Sequence, residues 1–181
     1  MELPLFRYLP DSVETGMPVR SNVACGACGK SRGYFYSGVP YYVAAVEAES
    51  ICPWCIADGS THEKLGTEFT DLAFIGRGLV GSSSVPLEIE EEVTYRKPGF
   101  ISWRGDYWFA HCGDGAAFLG SAGIKELNAA GPEAVEAIRT SIGAVSHADE
   151  LFAGLERNGP PSAYLFRCLH CGQFGDYTDQ D

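Results

Sequence analysis

The sequence predicts an α+β fold of small antiparallel β-hairpins and short helices, stapled by cysteine knuckles. Three observations carry this. Cysteine pairs spaced by two residues recur three times, at Cys25/Cys28, Cys52/Cys55 and Cys168/Cys171, and a glycine follows the first and the third. Short runs of Tyr, Phe and Val stand between glycine-bearing turns, which favours strands over helices. From Ile124 the apolar period lengthens, with Ala134, Val135, Ile138 and Ile142 recurring at helical spacing behind Pro132.

In chain order, residues 1–22 are rich in proline and read as an extended lead-in to the Cys25 knuckle. Gly33 to Val46 reads as two strands turning at Ser37-Gly38, a hairpin that returns the chain to Cys52. Pro53 suits a first helical turn, and Ser60 with Glu63 matches a capping box for a helix running toward Phe69 after a break at Gly59. Residues 76–86 are glycine- and serine-rich and read as a flexible loop. Val93 to Tyr95 and Phe100 to Cys112 read as strands, the second with a hairpin turn at Arg104-Gly105-Asp106. Ser146 suits the cap of a helix carrying Leu151, Phe152 and Leu155. Asn158-Gly-Pro-Pro161 stops that helix, and Ser162 to Arg167 is an apolar strand delivering Cys168. We read 1–181 as a single domain, with a treble-clef-like module at 20–75 and an α+β part at 93–181.

Tetrahedral zinc takes four nitrogen or sulfur ligands, and a C-x-x-C turn presents two sulfurs to one ion. Cys25 and Cys28 are separated from Cys52 and Cys55 by 23 residues, a gap a hairpin fills. Knuckle, hairpin, then a second pair at a helix start is the order of a treble-clef site. Cys112, Cys168 and Cys171 then need one more ligand. His111 is the favoured fourth, although neighbouring strand residues point to opposite faces. His170 lies inside the knuckle, where a side chain usually points away from the ion. An alternative pairing joins Cys25 and Cys28 to Cys168 and Cys171 and leaves Cys52 and Cys55 with His111 and Cys112. The ligand set is thus Cys25, Cys28, Cys52, Cys55, His111, Cys112, Cys168 and Cys171, which fits two Zn2+ ions. Asp58 and Asp114, beside these motifs, read as turn caps, with the orienting of a metal ligand as the alternative. His62 and His147 read as solvent-facing helix residues.

Composition bounds the function. Of 181 residues, 45% are hydrophobic and 20% charged, an ordinary globular balance. The net charge of −11 repels phosphate, so no nucleic-acid partner is expected, and an acidic surface suits a basic protein partner. No apolar run approaches the ~20 residues of a membrane span. The start lacks the pattern of an export signal, so a reducing cytoplasm is expected, where such cysteines read as metal or redox groups.

At Cys52-Pro-Trp-Cys55-Ile-Ala-Asp-Gly59 the sequence resembles the CbrC family, uncharacterised bacterial proteins named for a colicin-tolerance phenotype. The resemblance extends to Leu3-Pro-Leu-Phe-Arg-Tyr8, Cys25-Gly-Ala-Cys28-Gly29, Arg32-Gly-Tyr34, Trp108 to Asp114, and Tyr164 to Gly172. It implies a small cytoplasmic protein without an assigned catalytic activity.

Three function classes follow. The first is a non-enzymatic zinc protein acting through a partner in stress or toxin tolerance. The second is a thiol-disulfide oxidoreductase using Cys52 and Cys55, because a helix start lowers a thiol pKa. The third is a metal-assisted hydrolase with an open zinc position near Cys112. Nucleobase deamination is excluded, because that signature needs a histidine ahead of P-C-x-x-C and none precedes Cys52.

Overall fold

The computed structural model describes residues 2–15, 17–42, 50–102, 105–143 and 145–179. Its central sheet has the order β7-β8-β9, with β7 at Ala117–Ala122, β8 at Ser162–Arg167 and β9 at Phe174–Asp179, all antiparallel. The middle strand is buried on both faces, and its side chains divide by the two-residue period of a strand. Ala163 and Leu165 join an apolar cluster with the helices, whereas Tyr164 and Phe166 join a larger aromatic cluster.

The helical cluster forms from α4 (Ile124–Ala130), α5 (Pro132–Ile142) and α6 (Ala148–Ala153). Pro132 opens α5 with its φ already suited to a helix, and Ala134, Ile138 and Ile142 are buried. His147, not Ser146, occupies the N-cap of α6. Asn158 takes a left-handed φ of 60° beyond that helix.

The aromatic cluster gathers side chains from Phe6 to Tyr177 around the fully buried Trp108. Phe100 stacks on Phe118 with centroids 4.1 Å apart, and the Trp108 indole N–H donates to the carbonyl of Ala116. Lys97 is also fully buried. Its ammonium lies 3.7 Å from the Trp108 ring centroid and donates to Thr70 Oγ1 at 2.7 Å. Burial pulls its pKa down to about 7.

Smaller ladders hold the first cysteine module. β1 (Pro18–Arg20) pairs with β2 (Tyr34–Tyr36), and β3 (Tyr41–Tyr42) pairs with β4 (Thr67–Glu68). The expected hairpin at Ser37-Gly38 is therefore corrected: β2 and β3 follow one another but take different partners. The part of that stretch at 43–49 lies outside the described residues. The helices α1 (Pro53–Ala57) and α2 (Ser60–Leu65) break at Gly59, whose φ is 81°. Gly59 is itself the N-cap of α2, so the capping box at Ser60 does not form, and Gly66 ends the helix short of Phe69.

Two further expectations change. Val93 to Tyr95 belongs to α3 (Leu87–Tyr95), because Ile89, Val93 and the four glutamates are consistent with one helical stripe against a polar face. Among the described residues of 100–112, only Ala110–His111 forms a strand, β5, and Arg104 of the expected turn lies outside them. The segment is held instead by the 76–86 loop: Gly76 N–H donates to the Trp108 carbonyl and Ser83 N–H to the Ala110 carbonyl. Asp176 and Asp179 of the edge strand β9 are buried.

Candidate metal centres

The first centre starts from a knuckle. Gly29 N–H donates to the Cys25 carbonyl at 2.7 Å and Cys25 N–H to the Lys30 carbonyl at 3.1 Å, and Gly29 takes a φ of 69° to close the turn. Gly26 N–H donates to the Ser50 carbonyl and Ser50 Oγ to the Ala24 carbonyl, which fastens the knuckle to the approach of Cys52. Cys52 is the N-cap of α1, and its backbone N–H points at Cys25 Sγ, 3.3 Å away. Lys64 of α2 donates to the Ala27 carbonyl. Cys25, Cys28, Cys52 and Cys55 thereby offer four sulfurs within 4.8 Å of one another, all buried but the half-buried Cys28.

The second centre repeats the knuckle. Gly172 N–H donates to the Cys168 carbonyl at 3.1 Å, Cys168 N–H to the Gln173 carbonyl at 2.8 Å, and Gly172 has a φ of 77°. This knuckle is the connection between β8 and β9. Opposite it stands a hairpin of β5 with β6 (Asp114–Gly115), in which His111 pairs with Asp114. Cys112 and Gly113 are its two turn residues, with φ of 56° and 74°, as a type I′ turn requires. The turn answers the objection from strand alternation: Cys112 has left the strand, so its sulfur and the imidazole of His111 reach one point. His111 Nδ1 lies 3.2 Å from Cys112 Sγ and 3.4 Å from Cys171 Sγ, and the four ligand atoms of His111, Cys112, Cys168 and Cys171 are mutually within 4.8 Å.

The pairing left open by the spacing is thus resolved in position: the two amino-terminal pairs meet, and the carboxy-terminal pair meets His111 and Cys112. An ion with Zn–S bonds of about 2.3 Å holds its sulfurs roughly 3.8 Å apart, inside the 4.8 Å within which the ligand atoms of each group lie. Each group can hold a metal ion. Donor sets of four thiolates, and of three thiolates with one imidazole, suit a borderline-soft ion in a tetrahedral site.

Electrostatics separates the sulfurs. Burial pushes the Cys25 thiol up, but N–H groups of Cys52, Cys28 and Ala27 outweigh it and bring the pKa to about 7. Cys168 follows the same logic, burial opposed by the N–H groups of Cys171 and His170, and falls to about 6. Backbone donors favour the thiolate that a metal needs. Cys52 and Cys55 move the other way, because burial pushes both thiols up.

A support for the second centre has no signal in the sequence. His170 points away from the ligand group, and its Nε2 lies 2.7 Å from Asp114 Oδ2. Asp114 also accepts from the Tyr8 hydroxyl at 2.7 Å, from its neighbour's N–H at Gly115, and from Arg7. Although burial raises the Asp114 pKa, the bonds from Tyr8 and His170 and the Arg7 charge bring it below the usual value. Asp114 is therefore a tie between the lead-in and the knuckle, more than the turn cap expected. Asp58 does cap: its Oδ1 accepts the Ser60 N–H. His62 is half-buried and stacks on Tyr95 at 3.7 Å, which corrects its solvent-facing reading, whereas His147 is exposed.

The chain is similar to UPF0167 proteins of Mycobacterium bovis and Mycobacterium tuberculosis, each 42% identical over 182 residues that cover 98% of this chain and 94% of theirs. A UPF0167 protein of Pseudomonas aeruginosa is 37% identical over 174 residues, covering 94% and 93%. No solved structure matches. The profile of the uncharacterised protein family UPF0167 matches residues 3–180, and the chain belongs to that family.

Proposed function

We propose that this is a non-enzymatic protein whose two cysteine groups hold structural zinc and which acts through a basic protein partner, in bacterial stress or colicin tolerance as the CbrC resemblance implies. The observation that supports it best is the completeness of both ligand sets. Four protein ligands fill a tetrahedral ion and leave no position for a catalytic water. Each centre also ties segments distant in sequence, as a structural site does. The open-site hydrolase reading is disfavoured, because His111 Nδ1 lies beside the sulfurs of Cys112 and Cys171 and can supply the fourth ligand.

The oxidoreductase reading is disfavoured on chemistry. Cys52 and Cys55 are buried, their thiols are pushed up, and α1 has only five residues to lend its dipole. A cytoplasmic, reducing setting fits free thiols held by zinc.

A net charge of −11 supports a cationic partner, with Glu88 and Glu91 exposed on α3. The test is colicin survival of cells lacking the gene, complemented with the wild type or with Glu88→Gln/Glu91→Gln. Wild-type rescue with weakened rescue by the double variant is expected. Failure of the wild type to rescue at any expression level sinks the tolerance role, and undiminished rescue by the variant sinks the docking face on α3.

A further inference from the structure

We propose that Cys112 and Cys171 are an oxidative modification site, at which a peroxide converts the second centre to a disulfide and releases its ion while the first centre keeps its own. This rests on the two-zinc reading above and adds regulation to it. The two centres are built on like knuckles but stand at different depths. In the first, Cys25, Cys52 and Cys55 are buried and Cys28 is half-buried. In the second, Cys112 and Cys171 are both exposed and only Cys168 is buried.

Oxidation of cysteine follows thiolate character and access together. A metal supplies the thiolate at all seven cysteines, so access decides between them. The two accessible sulfurs also sit close enough to react with one another, inside the same 4.8 Å group, and they come from separate loops, the β5-β6 turn and the β8-β9 knuckle.

The chemistry balances with the peroxide as oxidant. One exposed thiolate attacks a peroxide oxygen, the O–O bond breaks, and a sulfenic acid and hydroxide form. The second thiolate attacks that sulfur, the S–O bond breaks, and a disulfide and a second hydroxide form. Two protons convert the hydroxides to water, and two sulfurs have supplied two electrons. Cys168 and His111 remain, too few to keep a tetrahedral ion.

The structure also gives the change a route outward. His170 lies between Cys168 and Cys171 and holds Asp114, which holds Tyr8 and Arg7. Tyr8 in turn accepts the Phe118 N–H of β7 through its carbonyl. A rearranged knuckle therefore reaches the lead-in segment and the edge of the central sheet.

The experiment titrates zinc-loaded full-length protein with hydrogen peroxide. Released metal is read with a chromogenic chelator, retained metal by native mass spectrometry, and the disulfide by peptide mapping under non-reducing conditions. The expected result is release of one ion at least tenfold faster than the other, a Cys112–Cys171 bridge, and recovery of two ions after a dithiol reductant and zinc are added. Simultaneous loss of both ions overturns the inference, as does a bridge between Cys168 and Cys171 or within the first centre. Fewer than two ions in the reduced protein overturns the two-zinc reading itself, a distinct failure visible before any peroxide is added.

Discussion

Asp114 is one carboxylate with four donors around it, and its removal tests how much the second centre relies on a neighbour that is not a ligand. In Asp114→Ala the buried Tyr8 hydroxyl loses its acceptor, and an orphaned buried polar group costs about 1–3 kcal/mol. The zinc-loaded variant should melt several degrees lower in calorimetry while retaining two ions by native mass, since no ligand is touched. Lys97 gives a prediction with a definite sign. Its folded pKa, about 7, lies below the 10.5 of the unfolded chain, so between those values the unfolded chain binds a proton that the folded chain does not. Stability therefore rises with pH from about 7 toward 10.5. Compared with Lys97→Met, the wild type should gain several kcal/mol over that range in denaturant titrations, at about 1.4 kcal/mol per pKa unit. A difference that stays flat or falls with pH would contradict the burial argument. The three C-x-x-C pairs are legible in the sequence at this scale, because cysteine spacing is a local signal, whereas Cys112 and His111 enter only by counting the ligands a second ion needs. Asp114, Tyr8, Arg7 and His170 converge through positions more than fifty residues apart, and no local pattern announces them.

Each of the two knuckles turns on a glycine that its backbone conformation requires. Gly29 and Gly172 have φ of 69° and 77°, where a Cβ is strained whatever the surrounding space. Gly29→Val should weaken the first centre by about 1–2 kcal/mol, read as a lower zinc affinity in competition with a chelator. Gly172→Val should do the same to the second centre alone. Sequence reasoning succeeds where period and punctuation agree, as at α5 with Pro132 and at β8, whose bounds need no correction. It fails at α3, where the glutamates before Val93 complete a helical stripe that three residues alone conceal, and at Ser37-Gly38, where strand type is right but partner choice is not. Strand partners are set by tertiary packing, which a local pattern does not contain. The type I′ turn at Cys112-Gly113 is hidden for another reason: a cysteine at left-handed φ is uncommon, so its residue type does not announce the turn.

At the scale of the whole molecule, the proposed pair of ions fastens an acidic fold whose ladders are mostly two or three residues long. Such short ladders hold little stability by themselves, and a structural zinc contributes roughly 10–16 kcal/mol in small finger peptides. The aromatic cluster and the helix-backed sheet should keep a residual fold after metal loss, with the first module loosening first. What the acidic surface meets is legible only as charge, since a partner leaves no spacing in the chain. The central claim is tested most directly by native mass spectrometry of the reduced protein before and after a strong chelator, with amide exchange measured on the same samples. Two zinc ions before chelation, and loss of protection around 25–36 and 50–65 after it, are predicted. A metal-free protein with unchanged protection at both cysteine groups would contradict the account.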